Sequence, residues 1–341
     1  LGHVLFKEQY HAVIRPALLT AMLGYTFVAF SVFIDIGRFY YIWHPLVMWN
    51  GNSALFEVGI CVMIYTTVLY IEFIPIVTDR FIGHVCFKGF LSFINTPLDT
   101  FLRFLDKISS KIMFFFIIAG VVLSCLHQSS LGTLMIIAGS KMHPLWQTPI
   151  LPLLFLLSAI SVGFPMVIIE SILSSRTFGQ KFEMHILSKL GSFIAPLLGI
   201  YLAFKIGDMV IRETFVYLKI INTESIMFMI EIFVGIIIPL RMFLSRTVLK
   251  SPLWIFIASF LVVAGVIINR VNNFLIAYTP PYATHPYFPS FAEFSVMIGF
   301  IALEILLFKA FVMNFPVISV PQKSMTQQMK YTIIGSTQGD I

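Results

Sequence analysis

Residues 53–77 read SALFEVGICVMIYTTVLYIEFIPIV, an apolar run broken by only two carboxylates, Glu57 and Glu72. A hydrocarbon layer about 30 Å thick needs about 20 apolar residues per spanning helix, and this run is long enough. Seven further runs meet the same standard, at roughly 16–37, 112–128, 150–173, 190–210, 224–244, 252–270 and 291–314. The composition agrees: the 341 residues are 58% hydrophobic and 11% charged, with a mean hydropathy of +0.93, where a soluble domain carries about 25% charged residues. The expected fold is all-α, a polytopic transmembrane helix bundle of about eight spanning helices over 1–320 with a cytoplasmic C-terminal tail at 321–341. The stretch LGTLMIIAG at 131–139 is too short to span, and either continues the third helix past a kink or lies at the interface.

The three cysteines, Cys61, Cys86 and Cys125, form no CxxC and no Cys/His pair at metal spacing. Neither a disulfide framework, an iron–sulfur cluster nor a metal site is expected in this chain. The net charge of +6 does not argue for nucleic acid, because the basic residues sit in short loops between apolar runs, where they encode topology. The N-terminal stub, the 78–111, 174–189 and 241–251 loops and the C-terminal end hold 16 Lys and Arg, and the other connections hold 6, namely Arg38, Lys141, Lys205, Arg212, Lys219 and Arg270. Both ends of the chain are therefore expected on the cytoplasmic side. The outward connections, RFYYIWHPLVMWNGN at 38–52, KMHPLWQTP at 141–149 and NNFLIAYTPPYATHPYFPS at 272–290, are rich in aromatics. That suits interfacial anchoring and equally the docking of a second protein. The inward DTFLRFLDKISSK segment reads as an amphipathic helix lying on the membrane. The chain starts at Leu1 rather than at a methionine, so it is expected to begin partway into the mature protein.

An ionisable group in hydrocarbon costs about 2.5 kcal/mol or more, so each needs a partner or a role. By depth they fall into two groups. Asp35, Arg38, Glu57, His127 with Gln128, Glu224, Glu231, Asn269, Arg270 and Glu293 lie toward the outer face, and Glu72, Glu170 and Glu304 lie deeper. Asp35 and Arg38 read as a self-neutralising i, i+3 pair, and Glu293 as a first-turn carboxylate facing a helix dipole. Glu57 and Glu231 are flanked by apolar residues and must be protonated or paired, as proton-exchanging groups are.

The stretch VVLSCLHQSSLGTL at 121–134 ends an apolar run in His127, Gln128, Ser129 and Ser130 and then resumes. A haem ligand, a proton relay, a ligand grip and a helix cap are the four readings. A bis-histidine haem needs two imidazoles at membrane depth, and of the eight histidines only His127 ends a spanning run, so no haem is expected. The polar surroundings suit a ligand with carbonyl or hydroxyl ends and an apolar body, such as a quinone, whose reduction needs protons that His and carboxylates supply.

The run HQSSLGTLM followed by HPLWQTP, with NSALFEVGICVMIYTTVLYIEFIP and YHAVIRPALL upstream and YFPSFAEFSVMIGFIALEI downstream, resembles the NrfD/PsrC-like family of quinone-interacting membrane subunits. Within it the resemblance is greatest to the integral membrane subunit of hydrogenase-2-type periplasmic nickel–iron hydrogenases. That subunit is often labelled a b-type cytochrome, a label at odds with the histidine count here. The likeness runs from about Tyr10 to Ile318. It implies a multi-pass subunit of the bacterial cytoplasmic (inner) membrane, not catalytic alone. Such a subunit passes electrons between a periplasmic ferredoxin-like iron–sulfur subunit, itself fed by a nickel–iron hydrogenase, and menaquinone or ubiquinone. It further implies one or two helices before Tyr10.

Carried over, the motif puts His127 and Gln128 at the quinone headgroup, with Glu57 and Asp35 on neighbouring helices. The expected catalytic residues are thus His127, Glu57 and Asp35, and the quinone-binding residues His127, Gln128, Ser129, Arg38 and Arg270. Glu72, Glu170, Glu231 and Glu304 are the expected proton pathway, which would make turnover proton-translocating. Two rival classes remain: a proton- or cation-coupled transporter, which an inverted repeat would favour, and a passive anchor of a periplasmic enzyme, which needs no buried Glu57 or Glu231.

Overall fold

The computed structural model describes residues 11–83, 93, 95–179, 182–279 and 287–317, and the fold is all-α. Among the described residues eight helices are long and apolar enough to cross a membrane: α1 His11–Asp35, α2 Ala54–Phe81, α3 Asn95–Ala138, α4 Leu151–Thr177, α5 Met184–Ile211, α6 Thr223–Phe243, α7 Pro252–Ile276 and α8 Phe291–Asn314. The tail expected at 321–341 lies outside the described residues, as does part of the 78–111 loop. Three starts are capped as the local sequence dictates. Ser53 accepts from the Phe56 amide, Asn222 accepts from the Ser225 amide, and Ser290 with Glu293 forms a capping box. Each cap satisfies backbone donors that the first turn leaves free, and in α8 it accounts for Glu293.

Helix α3 has 44 residues, about 66 Å at 1.5 Å per residue, or twice the hydrocarbon thickness. With inner meaning the end of the bundle that holds the start of α1, the segment read as a separate surface helix is its inner extension, and 131–138 is its outer one, with no break at HQSSLG. No proline falls between Pro97 and Pro144. The Ser130 and Thr133 hydroxyls bond back to the Leu126 and Ser129 carbonyls, at 2.9 and 3.2 Å, which satisfies them within the helix. His127 therefore stands three turns inside a continuous helix instead of at its end.

Helix α1 packs against α2, α4 and α8, α3 lies along α2 and α4, and α4 to α7 pack on one another. Leu19, Met22 and Leu23 of α1 meet Leu69, Phe73 and Ile76 of α2 in one core, while α4, α5 and α7 share another around Ile168, Leu187 and Ile255. At the inner end Arg15 donates to Asp79 at 2.8 Å and to the Pro316 carbonyl at 2.9 Å. The start of α1 and the end of α8 thus meet on the same side.

The outer segment 141–149 is bound into the bundle. His143 donates its amide to the Ala277 carbonyl and Thr279 its amide to the Lys141 carbonyl, both at 2.8 Å. Arg212 donates to the Pro144 and Gln147 carbonyls, and Thr148 to Asp208 at 2.7 Å. Burial holds the His143 imidazole below its ordinary pKa, with Glu224 opposing that shift. Leu145 and Trp146 are buried, whereas Trp43, Trp49, Tyr287 and Phe288 are exposed. The docking reading of KMHPLWQTP is accordingly corrected: its aromatic faces inward because its polar backbone and Trp146 find their partners there. Exposed aromatics lie instead on the other two outer segments and at Phe215 and Tyr217.

Helices α6 and α7 cross at two glycines. A Cβ on Gly235 would stand 2.6 Å from the Gly265 Cα, and one on Gly265 would stand 2.3 Å from the Gly235 Cα. Small residues let backbones approach this closely where lipid offers no hydrophobic drive for association. Gly265→Val is expected to destabilise the protein by about 1–3 kcal/mol through overpacking, seen as a lower thermal midpoint in detergent. Gly199→Ala, where no atom lies within 4 Å of the added carbon, serves as the control and leaves the midpoint unchanged or higher.

Candidate functional site

The polar stretch of α3 faces three neighbours. Ser130 donates to Glu57 of α2 at 2.6 Å, so this half-buried carboxylate has a partner on the same helix as His127. Tyr25 of α1 lies edge-on to the His127 ring, with centroids 5.9 Å apart, and against Tyr65 of α2 at 4.4 Å. From the far side Arg270 of α7 donates to the Gln128 side-chain oxygen at 3.3 Å. His127 itself is buried, and its Nδ1 has no hydrogen-bond partner among the described residues. A buried polar atom left without a partner is costly, and it is the observation that asks for a ligand. A quinone fits, since each carbonyl oxygen accepts and each hydroxyl of the reduced form donates. Ser129 stands next to Gln128, half-buried, with its carbonyl taken by Thr133.

Arg270 is held by neutral groups. It donates to Asn269 Oδ1 at 2.8 Å, to Ser158 at 3.0 Å and to the Phe155 carbonyl at 3.3 Å, and its guanidinium lies 3.8 Å from the Phe155 ring centroid. Behind it Glu231, fully buried, accepts from four donors. Lys205 and Asn269 reach Oε1, and Trp146 and Asn272 reach Oε2; the Asn and Trp bonds measure 2.8 to 2.9 Å. The π-helical turns Phe233–Ile237 and Asn272–Ile276 lie immediately beyond Glu231 and Asn269. Such turns are rare and recur at functional sites.

Two expectations change. Lys205 counts with an outer connection by sequence, yet it lies inside α5, buried and ion-paired with Glu231. Glu231, assigned to the expected proton pathway, sits in the outer half as its position in the run predicts, but it is ion-paired. Its partner is Lys205, because two opposite charges in a low-dielectric interior must meet. The remaining deep carboxylates fall in two places. Glu72 lies between α2 and α3, with Oε1 3.0 Å from where a Gly120 Cβ would stand. Glu170 of α4 and Glu304 of α8 lie on helices that both pack against α1, and the Glu304 Oε1 stands 3.3 Å from where a Cβ on Gly24 would be. The Glu170 Oε1 is buried without a partner among the described residues. Asp35 and Arg38, by contrast, are both exposed at the outer end of α1. Among the described residues no ion pair joins them, and neither bonds to His127, Gln128 or Arg270.

Tyr25, Tyr65, Ser158 and Trp146 escape a search restricted to charged groups. The signal for the tyrosines is available, since both lie mid-run instead of at an interface, where Tyr is usual in membrane helices. Lys205 is legible too, because it falls inside the run at 190–210.

Residues 3–279 match the family model described as polysulphide reductase, NrfD. The chain is 32% identical over 322 residues to a protein of Escherichia coli K12 named "Probable Ni/Fe-hydrogenase 2 b-type cytochrome subunit", covering 93% of this chain and 76% of that one. It is 22% identical to the integral membrane subunit of menaquinone reductase of Nitratidesulfovibrio vulgaris, over 89% and 74% of the two chains. To a selenate reductase subunit of Mesobacillus selenatarsenatis the identity is 25%, over 95% and 82%. These relatives are subunits of oxidoreductase complexes, and eight apolar helices make this chain a multi-pass integral membrane protein. By the span of the family match and by these relatives, this chain belongs to the NrfD family of membrane subunits.

Proposed function

We propose that this chain is the quinone-reactive subunit of a periplasm-facing oxidoreductase complex in the bacterial cytoplasmic membrane, with both of its ends cytoplasmic. It exchanges electrons between a periplasmic ferredoxin-like iron–sulfur subunit and menaquinone or ubiquinone. The catalytic subunits behind that partner are of the nickel–iron hydrogenase class, as the name of the E. coli relative suggests. The observation that carries the reading is the His127 Nδ1, buried and without a partner among the described residues, in a patch where Tyr25 meets the His127 ring and Arg270 meets the following residue, Gln128. The menaquinone reductase relative supports the substrate class.

Reduction of a quinone takes up two electrons and two protons. In this reading His127 donates a hydrogen bond and then a proton to one ring oxygen. Arg270 orients Gln128 and supplies positive charge where negative charge develops. Glu57 holds the α3 segment through Ser130 and serves as the nearby proton store. The exposed aromatic segment around Trp43 and Trp49 is the docking face for the iron–sulfur partner, in keeping with the aromatic enrichment of interface cores. Protons reach the site from the cytoplasmic side. Tyr65 stands beside Tyr25 and two helical turns from Glu72, and Glu170 with Glu304 flanks α1 at similar depth. Turnover that draws protons outward from the cytoplasmic side while electrons enter from the periplasmic side is electrogenic.

His127→Ala is expected to lower quinone-dependent turnover of the complex by about 10²-fold or more, the scale of a positioned acid or base, while dye-linked activity of the catalytic partner stays intact. Quinone turnover at the wild-type rate would remove the assignment. In proteoliposomes, Glu72→Gln and Glu170→Gln are each expected to abolish the membrane potential built during quinone reduction. An unchanged potential in both variants would show that these carboxylates carry no protons.

A further inference from the structure

Lys205, Glu231 and Arg270 lie together in the interior of α4 to α7, in its outer half. Their sum is one positive charge. Glu231 is the carboxylate nearest to Arg270 along the hydrogen-bond chain, and its two oxygens are taken up by Lys205, Asn269, Trp146 and Asn272. Further out, Asp208 is paired with Arg212 at 2.6 Å, and Glu57 is turned to Ser130. Among the described residues no carboxylate lies within ion-pair distance of Arg270. Its guanidinium rests on the Phe155 ring and on neutral oxygens, one of them the side-chain oxygen of Gln128, the residue that follows His127 in α3; among the described residues the His127 Nδ1 has no partner.

A cation left alone at membrane depth is expensive and marks a functional position. Arginine is the side chain suited to it, being weakly hydrated and unable to shed its proton. We infer that the site beside His127 takes a headgroup bearing negative charge: Lys205 consumes the charge of Glu231, Arg270 is thereby left as an uncompensated cation, and the ligand supplies the missing anion. This rests on the quinone reading and narrows it. The preferred ligand is a quinone whose ring oxygen is anionic, either through an acidic ring hydroxyl or as electrons arrive. Lys205 and Glu231 act at a distance, as positioning residues that set the charge of the site without touching the ligand.

Two naphthoquinones of nearly the same shape test this by binding, independently of turnover. They are 2-hydroxy-1,4-naphthoquinone, an anion at neutral pH, and its neutral 2-methoxy analogue. The full-length protein in detergent micelles is expected to bind the anion about tenfold more tightly, the scale of one charge-assisted hydrogen bond. Each variant is read as its own ratio, so a general loss of affinity does not count. Arg270→Gln brings the ratio to about one and Arg270→Lys keeps it. The double change Lys205→Met with Glu231→Gln also keeps it, because both charges of the pair leave together and Arg270 remains.

Equal affinities in the wild type overturn the inference, as does a preference that survives Arg270→Gln or is lost in the double variant. Phosphatidylglycerol added to the micelles leaves the ratio unchanged; competition by that lipid would reassign the anion to a headgroup and equally overturn the inference. If the wild type binds neither naphthoquinone, the quinone reading itself falls and takes the inference with it.

Discussion

The carboxylate of Glu231 is the point on which the outer half of this bundle depends. A bare carboxylate at that depth would be driven to its neutral form or expelled, and here four donors from three different elements hold it. Trp146 comes from the outer segment, Lys205 from α5, and Asn269 and Asn272 from successive turns of α7. In satisfying one buried charge, the fold brings three helices and a loop into a single register. Such a pair need not add stability over apolar packing. What it does fix is geometry, because Asn269 has one side chain and turns its other end to Arg270.

From that anchor the candidate site follows by short steps. Arg270 reaches across α4, over the Phe155 ring, to Gln128 on α3. The adjacent His127 then meets Tyr25 of α1, and Ser130 ties the same helix to Glu57 of α2. Five spanning helices thus supply side chains to one polar patch in the outer half. Beneath it the close crossing of Gly235 and Gly265, and above it the approach of Gly132 to Pro152, keep the backbones near enough for these short side chains to meet. Rigid helices, instead of loops, carry the chemistry, as preorganised sites require.

Much of this is legible in residue order. The spanning runs follow from the length of apolar segments, and the outer ends of the runs follow from where Trp, Tyr and Pro collect. His127 with Gln128 stands out as a polar interruption in a run that later resumes. Lys205 shows the limit of counting charges by loop. A lysine six residues from the end of α5 looks like a residue of the following connection until its carboxylate partner, 26 positions away, is seen. Asp35 and Arg38 show the converse. Their i, i+3 spacing suggests a pair, but both side chains are exposed and no ion pair joins them, because nothing at the end of α1 shields them from solvent.

The sequence by itself determined which segments are apolar enough to enter the membrane and which few polar residues must be accommodated in hydrocarbon. Those outcomes depend on local composition, since the cost of an exposed backbone group or charge in lipid is met or not met within each segment. Only the tertiary structure decided which polar residues meet. It sent Glu231 to Lys205 and not to the deeper carboxylates, turned Trp146 inward onto Glu231, and among the described residues left His127 Nδ1 and the Arg270 charge without complements. Pairing of that kind depends on helix rotation and crossing distance, which are set by small residues and by buried hydrogen bonds between segments far apart in the chain.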